Sequence, residues 1–379
     1  MAAGDRTLKH IHAALTAHLQ RGELAARGDG DRFFLLLKCS QESQVLTRLD
    51  AMLTDLERRQ GETLLADRSR IAQGAYLVGG DERDILLLQD LARIASTFQQ
   101  TGEPCRFFDT ALKEKISRAM QLDAAFEDAI RNHEFQVYLQ PKVRPDRDQP
   151  CGSEALVRWK HPKFGMVYPP EFIPLFEKNG KICDLDFYMF EEICALLHSW
   201  MAEGRPIFPI SVNLSRAHMG QPDLEFLDRF RQTKEAYAIP DDLIELELTE
   251  SLLLERRQLE LVSEAVAKIR ALGFQCSMDD FGFGYSSLAL LKDLDLSAIK
   301  LDRQFFLAEN EKTWLVVNKF IQLAHDLGIS VVAEGIEDRE QVAQLRRLHC
   351  DMVQGYVFAK PLPVPEFLDW CAAYKEEGH

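Results

Sequence analysis

The stretch CSMDDFGFGYSS, residues 276–287, opens as an apolar, strand-like run with two adjacent aspartates, Asp279 and Asp280, followed by Phe281 and then Gly-Phe-Gly. Like charges that close repel and raise one another's pKa unless something positive stands beside them. A divalent cation is the usual partner, and the rest of the chain must then supply its other ligands. The same form, a short β-prone run closing on a polar group, recurs from residue 136 onward. The runs are QVYLQPKV (136–143), GSEALVRW (152–159), FPISVNLS (208–215), LIELELTES (243–251), CSMDDFG (276–282), AIKLDR (298–303), SVVAEGIE (330–337) and MVQGYVF (352–358). They alternate with longer amphipathic stretches, the pattern of parallel strands joined by helices. Eight such units predict an α/β fold closed as a (β/α)8 TIM-like barrel, for which about 250 residues is the usual size.

Toward its C-terminal end each run carries a group able to coordinate or polarise. In order these are Gln140, Glu154 with Arg158, Asn213, Glu247 with Glu250, Asp279 with Asp280, Lys300 with Asp302, Glu334 with Glu337, and Gln354. In a barrel those ends converge on one face, where such proteins place their chemistry. Glu154, Asn213, Glu247, Asp279, Asp280 and Glu334 offer oxygen ligands with no His or Cys among them, a set suited to Mg²⁺ or Mn²⁺ rather than zinc. Two such cations ~4 Å apart activate a water and stabilise the oxyanions of an in-line phosphoryl displacement. Lys300 would add a fixed positive charge, and Gly282 and Gly284 let the loop turn sharply beside the site. Taken singly, each piece has an ordinary reading: a solvated carboxylate or helix N-cap, an ST turn at Asn213, a surface lysine, a loop glutamine. Eight successive runs ending this way are what those readings leave unexplained.

Composition narrows the partners. The chain has 379 residues and a formal net charge of -15, with no block of Lys or Arg, which argues against a nucleic-acid polymer as ligand. The eight cysteines form no CxxC pair, and Cys39, Cys151 and Cys276 sit in apolar contexts typical of buried thiols, as in a cytoplasmic protein. The opening MAAGDRTLKHIHAALTAHLQ reads as a polar amphipathic helix, and no apolar run approaches the ~20 residues that span a bilayer. Residues 107–134 keep apolar positions at helical spacing without Gly or Pro and predict a connecting helix. The expected organisation is therefore a smaller α/β module over 1–110, a connector over 111–134 and a barrel domain over 123–379.

At these residues the sequence resembles the EAL-domain family, phosphodiesterases of cyclic di-GMP. The signature stands as Glu154-Ala155-Leu156, and YLQPKV, EALVRWKHPKFGMVYPPEFIP, SVNLS, ELTES, DDFGFGYSSL, IKLDRQF, VVAEGIE and QGYVFAKPLP follow the family's motifs in order. The resemblance implies hydrolysis of cyclic di-GMP to linear pGpG with two Mg²⁺ or Mn²⁺ ions, in a homodimer formed through the barrel. It implies that Glu154, Asn213, Glu247 and Asp279 hold one metal, and that Asp279, Asp280 and Glu334 serve the second. Glu334 and Lys300 would position or deprotonate the attacking water, with Gln354 lining the centre. Arg158 would hold a substrate phosphate, Gln140 and Asp302 would contact the nucleotide, and Glu250 would anchor the loop that begins at Asp279. Glu337 is expected to support the site from outside. One departure is Phe283, where the family commonly has a small residue.

Residues 1–110 resemble the back portion of a GGDEF module. ELAARGDGDRFFLLL would be its signature hairpin, but the signature reads Asp29-Gly30-Asp31-Arg32-Phe33, with an arginine in place of a metal-binding glutamate. The family's product-binding Arg-x-x-Asp stands as Gln20-Arg21-Gly22-Glu23, and the upstream strand and helix that would bear the remaining metal and nucleotide contacts are not found. The module is thus expected to be catalytically dead and regulatory. The alternative for the barrel is a silent cyclic di-GMP receptor. A barrel hydrolase of another phosphodiester would rest on fold alone.

Overall fold

The computed structural model describes residues 2–60, 71–80, 82–220, 224–249, 256–281, 292–307 and 310–376. They form two compact units, Met1–Met120 and Gln121–His379. In the first unit, helix α1 (Ala2–Ala17) precedes strands β1 (Leu24–Arg27) and β2 (Phe33–Leu36). Helix α2 (Glu42–Gln60), strand β3 (Gly74–Ala75), helix α3 (Ile85–Thr97) and strand β4 (Arg106–Phe107) follow. The pair β1–β2 is the expected antiparallel hairpin, and β3–β4 is parallel; among the described residues the two pairs remain separate sheets. The hairpin tip is closed by its own backbone, with the Gly28 N–H donating to the Arg32 carbonyl at 2.9 Å and the Arg27 guanidinium donating to the Gly30 carbonyl.

Glu23 is committed to structure. Its carboxylate, fully withdrawn from solvent, accepts two guanidinium N–H bonds from Arg48 at 2.7 Å each and the backbone N–H groups of Gln20 and Lys38. The Arg48 hydrogen bonds hold its pKa at about 2.

Helix α4 (Thr110–Arg131) runs shorter than the expected connector. Phe107 belongs to β4, and the Asp109 carboxylate starts the helix by accepting from the Leu112 N–H. At the other end His133 turns left-handed (φ 53°), a common way for a helix to stop. Phe126 of α4 then packs among Phe135, Trp159, Phe172 and Phe176, its ring 4.7 Å from that of Phe176.

The second unit is the barrel. Its ring comprises β5 (Phe135–Arg144), β6 (Gln149–His161), β8 (Ile210–Leu214), β9 (Ile244–Thr249), β10 (Gln275–Phe281), β11 (Ala298–Leu301), β12 (Ser330–Ala333) and β13 (Met352–Gln354), closed by pairing of β5 with both β6 and β13. Strands β7 (Gly165–Val167) and β14 (Leu362–Pro363) extend β6 and β5. The apolar runs are those of strands buried on both faces, and helices such as Ile182–Ala202 and Arg256–Ala271 cover them.

One strand departs from the all-parallel expectation. β5 is antiparallel to both its neighbours, with Phe135 opposite Trp159 and Arg144 opposite Gln149. The link from β5 to β6 is only residues 145–148, far too short for a crossover, so the two form a hairpin. Gln140 therefore lies in the middle of a descending strand, opposite Glu154, and not at a C-terminal end. A second correction concerns thiols: Cys276 is fully buried, but Cys39 and Cys151 are only partly so. Among the described residues no helix is long and apolar enough to cross a membrane.

Candidate active site

Seven strands deliver side chains to one mouth, and β5 meets them from the opposite direction. The centre of the mouth is the Lys300 ammonium, 1% exposed. It lies 2.7 Å from Glu247 Oε2, 2.7 Å from Glu334 Oε1, 3.3 Å from Asp279 Oδ1 and 3.4 Å from Glu154 Oε2. Asn213 Nδ2 donates to Glu154 Oε1 at 3.0 Å, and Gln354 Nε2 donates to Glu154 Oε2 at 2.6 Å and to Gln140 Oε1 at 3.1 Å. Gln140, Glu154, Asn213, Glu247, Asp279, Lys300, Glu334 and Gln354 thus form one connected cluster, although Gln140 and Gln354 lie 214 positions apart in the chain.

Local backbone chemistry explains how several of these residues arrive. Between Met278 and Phe281 the β10–β11 register slips by one residue, a β-bulge. Bulges re-aim side chains, and here Asp280 takes a left-handed φ of 55° while its N–H donates to Asp279 Oδ1 at 2.9 Å. One aspartate is turned into the cluster and the other toward solvent. Glu334 and Gln354 are each followed by a glycine. Gly335 has φ +63° and a Cβ there would fall 2.5 Å from Arg303 Cβ; a Cβ on Gly355 would fall 2.0 Å from the Ile336 carbonyl oxygen. Both turns close directly behind a site residue because no side chain intervenes.

Other expected residues stand apart from the cluster. Arg158 is half-buried with its guanidinium 5.6 Å from the Tyr138 ring centre and 5.7 Å from that of Tyr168, and it donates to the Val157 carbonyl. Burial lowers its pKa. Among the described residues no carboxylate is paired with it, which leaves its charge available to an anion. Asp302 caps the short 3₁₀ helix Arg303–Phe306 by accepting from the Gln304 N–H. Glu337 pairs with Arg303 at 3.2 Å, half-exposed and outside the cluster. Glu250, Gly282, Phe283 and Gly284 lie outside the described residues.

Sequence reasoning missed a polar layer deeper in the barrel. Lys142 Nζ lies 3.2 Å from Glu247 Oε1 and 3.2 Å from Glu245 Oε1, and Ser277 Oγ donates to Glu245 Oε1 at 2.7 Å. The signal was present: Glu245 and Ser277 stand two positions before Glu247 and Asp279, on the same strand face by the period-two rule.

Five carboxylates, Glu154, Glu245, Glu247, Asp279 and Glu334, thus face two ammonium groups, Lys142 and Lys300. The surplus is visible in the titration directions. Burial alone would lift Glu247, but Lys300 and Lys142 hold it at about 2. Burial raises Glu154 and Asp279, and raises Glu334 well above the carboxylate range with neighbouring acids adding to it. Burial opposes the charge of Lys300, yet the four acids around it lift its pKa well above that of an ordinary lysine. Among the described residues Gln354 Oε1 is buried without a donor. Its amide cannot simply be reversed, since Nε2 serves two acceptors.

The donor chemistry fits hard divalent cations: oxygen only, surplus negative charge, and an orphaned acceptor beside it. In the present arrangement the carboxylates close on Lys300, and among the described residues no three acids, His or Cys converge on a common metal position.

Fold and mouth together define a class: a TIM-like barrel, with its first strand reversed, that gathers an acidic oxygen-rich site at the ends of its parallel strands. Within that class the chain belongs to the EAL domain family, whose model matches residues 123–361. Residues 1–98 match the diguanylate cyclase GGDEF domain. The chain is 30% identical over 378 residues to cyclic di-GMP phosphodiesterase NbdA of Pseudomonas aeruginosa, covering 98% of this chain and 48% of that protein. It is 31% identical over 378 residues to the oxygen sensor protein DosP of Escherichia coli, covering 98% of this chain and 46% of that protein. Among solved structures, the PaMucR phosphodiesterase in complex with c-di-GMP superposes with a TM-score of 0.59 at 32% identity, covering 65% of this chain and 99% of that one. The chain spans about half the length of the curated relatives it matches.

Proposed function

We propose that this chain is a phosphodiesterase that hydrolyses cyclic di-GMP to linear pGpG with divalent cations, Mg²⁺ or Mn²⁺, and that its GGDEF-like part regulates without catalysing. The observation that carries the reading is the surplus of buried oxygen ligands around Lys300, with Arg158 held nearby between two tyrosines. Named relatives of the same family support the substrate.

Glu154, Asn213, Glu247 and Asp279 would hold one cation, and Asp279, Asp280 and Glu334 the other. The cations would supply the Lewis acidity that stabilises the charge developing on the phosphoryl oxygens. Arg158 binds a phosphate through its guanidinium, Gln140 and Asp302 orient the nucleotide, and Gln354 sets the direction of Glu154. Glu334 and the Lys300 ammonium orient a water, and Glu334 takes its proton as its oxygen bonds to phosphorus. The P–O3′ bond breaks, the 3′ oxygen leaves and is protonated, and the ring opens.

We read the assembly as a homodimer through the barrel, in keeping with exposed Leu307, Leu315 and Val316. The eight cysteines, none of them in a disulfide among the described residues, fit a reducing cytoplasm. The deciding experiment incubates the purified chain with cyclic di-GMP and Mg²⁺ or Mn²⁺ and separates the products. Appearance of pGpG is expected; binding without turnover would make the barrel a receptor.

A further inference from the structure

A lysine and a glutamate buried in the middle of a barrel are costly neighbours. TIM-like interiors are ordinarily filled by layers of branched apolar side chains. Here Lys142 and Glu245 occupy such a layer with side chains 4% and 6% exposed. Each buried ion loses several kcal/mol of hydration, and a well-packed apolar pair of similar volume is often as stable or more so. Stability is therefore a poor account of this pair.

The contacts supply another. Glu247, whose side chain is 0% exposed, has one oxygen on each lysine, Oε2 at 2.7 Å from Lys300 and Oε1 at 3.2 Å from Lys142. Lys142 can reach it because β5 descends: two positions past Gln140 the chain is deeper in the barrel, at the level of Glu245. Glu245 is in turn fixed by Ser277 Oγ. The lysine is thus anchored on one carboxylate and grips the next one above it, setting the rotation of the Glu247 carboxylate in the mouth.

We propose that Lys142, anchored by Glu245, is a positioning residue that orients Glu247 for divalent-cation binding. This rests on the reading of the mouth as a two-cation site. Groups that hold a metal ligand from behind are worth about 10–100-fold in metal affinity. The sign of the effect separates orientation from charge. Removing a nearby ammonium makes the mouth more negative, so on electrostatics alone cation binding would tighten; if Lys142 orients Glu247, binding weakens.

The test measures Mn²⁺ binding to the purified 379-residue chain by electron paramagnetic resonance of free Mn²⁺, alongside steady-state kinetics with cyclic di-GMP. Lys142→Met is expected to weaken Mn²⁺ binding by about 10–100-fold, to raise the Mn²⁺ concentration needed for half-maximal turnover equally, and to leave KM for cyclic di-GMP unchanged at saturating Mn²⁺. Unchanged or tighter Mn²⁺ binding by a folded variant overturns the proposal. Should Lys142→Met not fold, the double variant Lys142→Met/Glu245→Leu, which strands no partner of the pair, carries the same expectation and the same refutation. A wild-type chain that binds no Mn²⁺ would overturn the two-cation reading first and this inference with it. Wild-type binding with a variant that binds equally well overturns only the role of Lys142.

Discussion

Replacing Arg158 with methionine removes a half-buried charge that has no carboxylate partner among the described residues, while keeping most of its apolar stem. The guanidinium is already half-desolvated and held near two aromatic rings, 5.6 Å from the centre of Tyr138 and 5.7 Å from that of Tyr168. Little ordering remains to be done when a phosphate arrives. A hydrogen bond to a charged group is worth about 1.5–3 kcal/mol, and about 1.4 kcal/mol is tenfold in affinity, so Arg158→Met should weaken cyclic di-GMP binding by about 10- to 150-fold. Arg158→Lys keeps the charge but loses the planar fork and should fall between. The measurement is calorimetry in Ca²⁺, which prefers more ligands at longer distances and is expected to bind without supporting turnover. Steady-state KM in Mg²⁺ should rise in parallel. An affinity for Arg158→Met within about twofold of wild type would refute the phosphate-binding role.

Other expectations are more direct. Glu154→Ala strands donors of Asn213, Gln354 and Lys300 and should lower turnover by about 10²–10³-fold or more with the fold retained by circular dichroism; near-normal hydrolysis would sink the ligand assignment. In the first unit, Glu23 has a folded pKa of about 2 against an ordinary 4.5, so its ionised form stabilises the fold above pH ~4.5 and loses that effect as pH falls toward 2. Glu23→Gln should therefore cost about 1–3 kcal/mol in urea unfolding at pH 7, and the gap to wild type should close at pH 2. With Arg32 in place of a metal-binding carboxylate, the chain should form no cyclic di-GMP from GTP, checked by chromatography of the reaction.

The sequence made some of this architecture legible and hid the rest for physical reasons. Polar residues that close apolar runs locate the mouth well: Glu154, Glu247, Asp279, Lys300, Glu334 and Gln354 meet as their strand-end positions require. Strand direction is another matter, because alternation reports which face a residue occupies and not which way the chain runs. Only the link Pro145-Asp146-Arg147-Asp148 betrays the reversal of β5, being a turn where a crossover helix would be needed. The bulge at Asp279–Asp280 left no such mark, since two adjacent aspartates in a regular strand would simply face opposite sides. Lys142 and Glu245 were passed over because a charged residue within an apolar run reads as a surface position, whereas here each is the other's counter-ion.

The reversal of β5 also decides where the barrel is threaded. In an all-parallel barrel the chain comes in at the foot, on the face remote from the chemistry. Here Phe135 starts at the lip, opposite Trp159, and Gln136 stands opposite Arg158. Only residues 132–134 separate that lip from the end of α4 at Arg131. The chain therefore enters the barrel beside the strand pair that carries Arg158, and a change in the three-residue link ahead of Phe135 would be felt first at the lip and last at the foot.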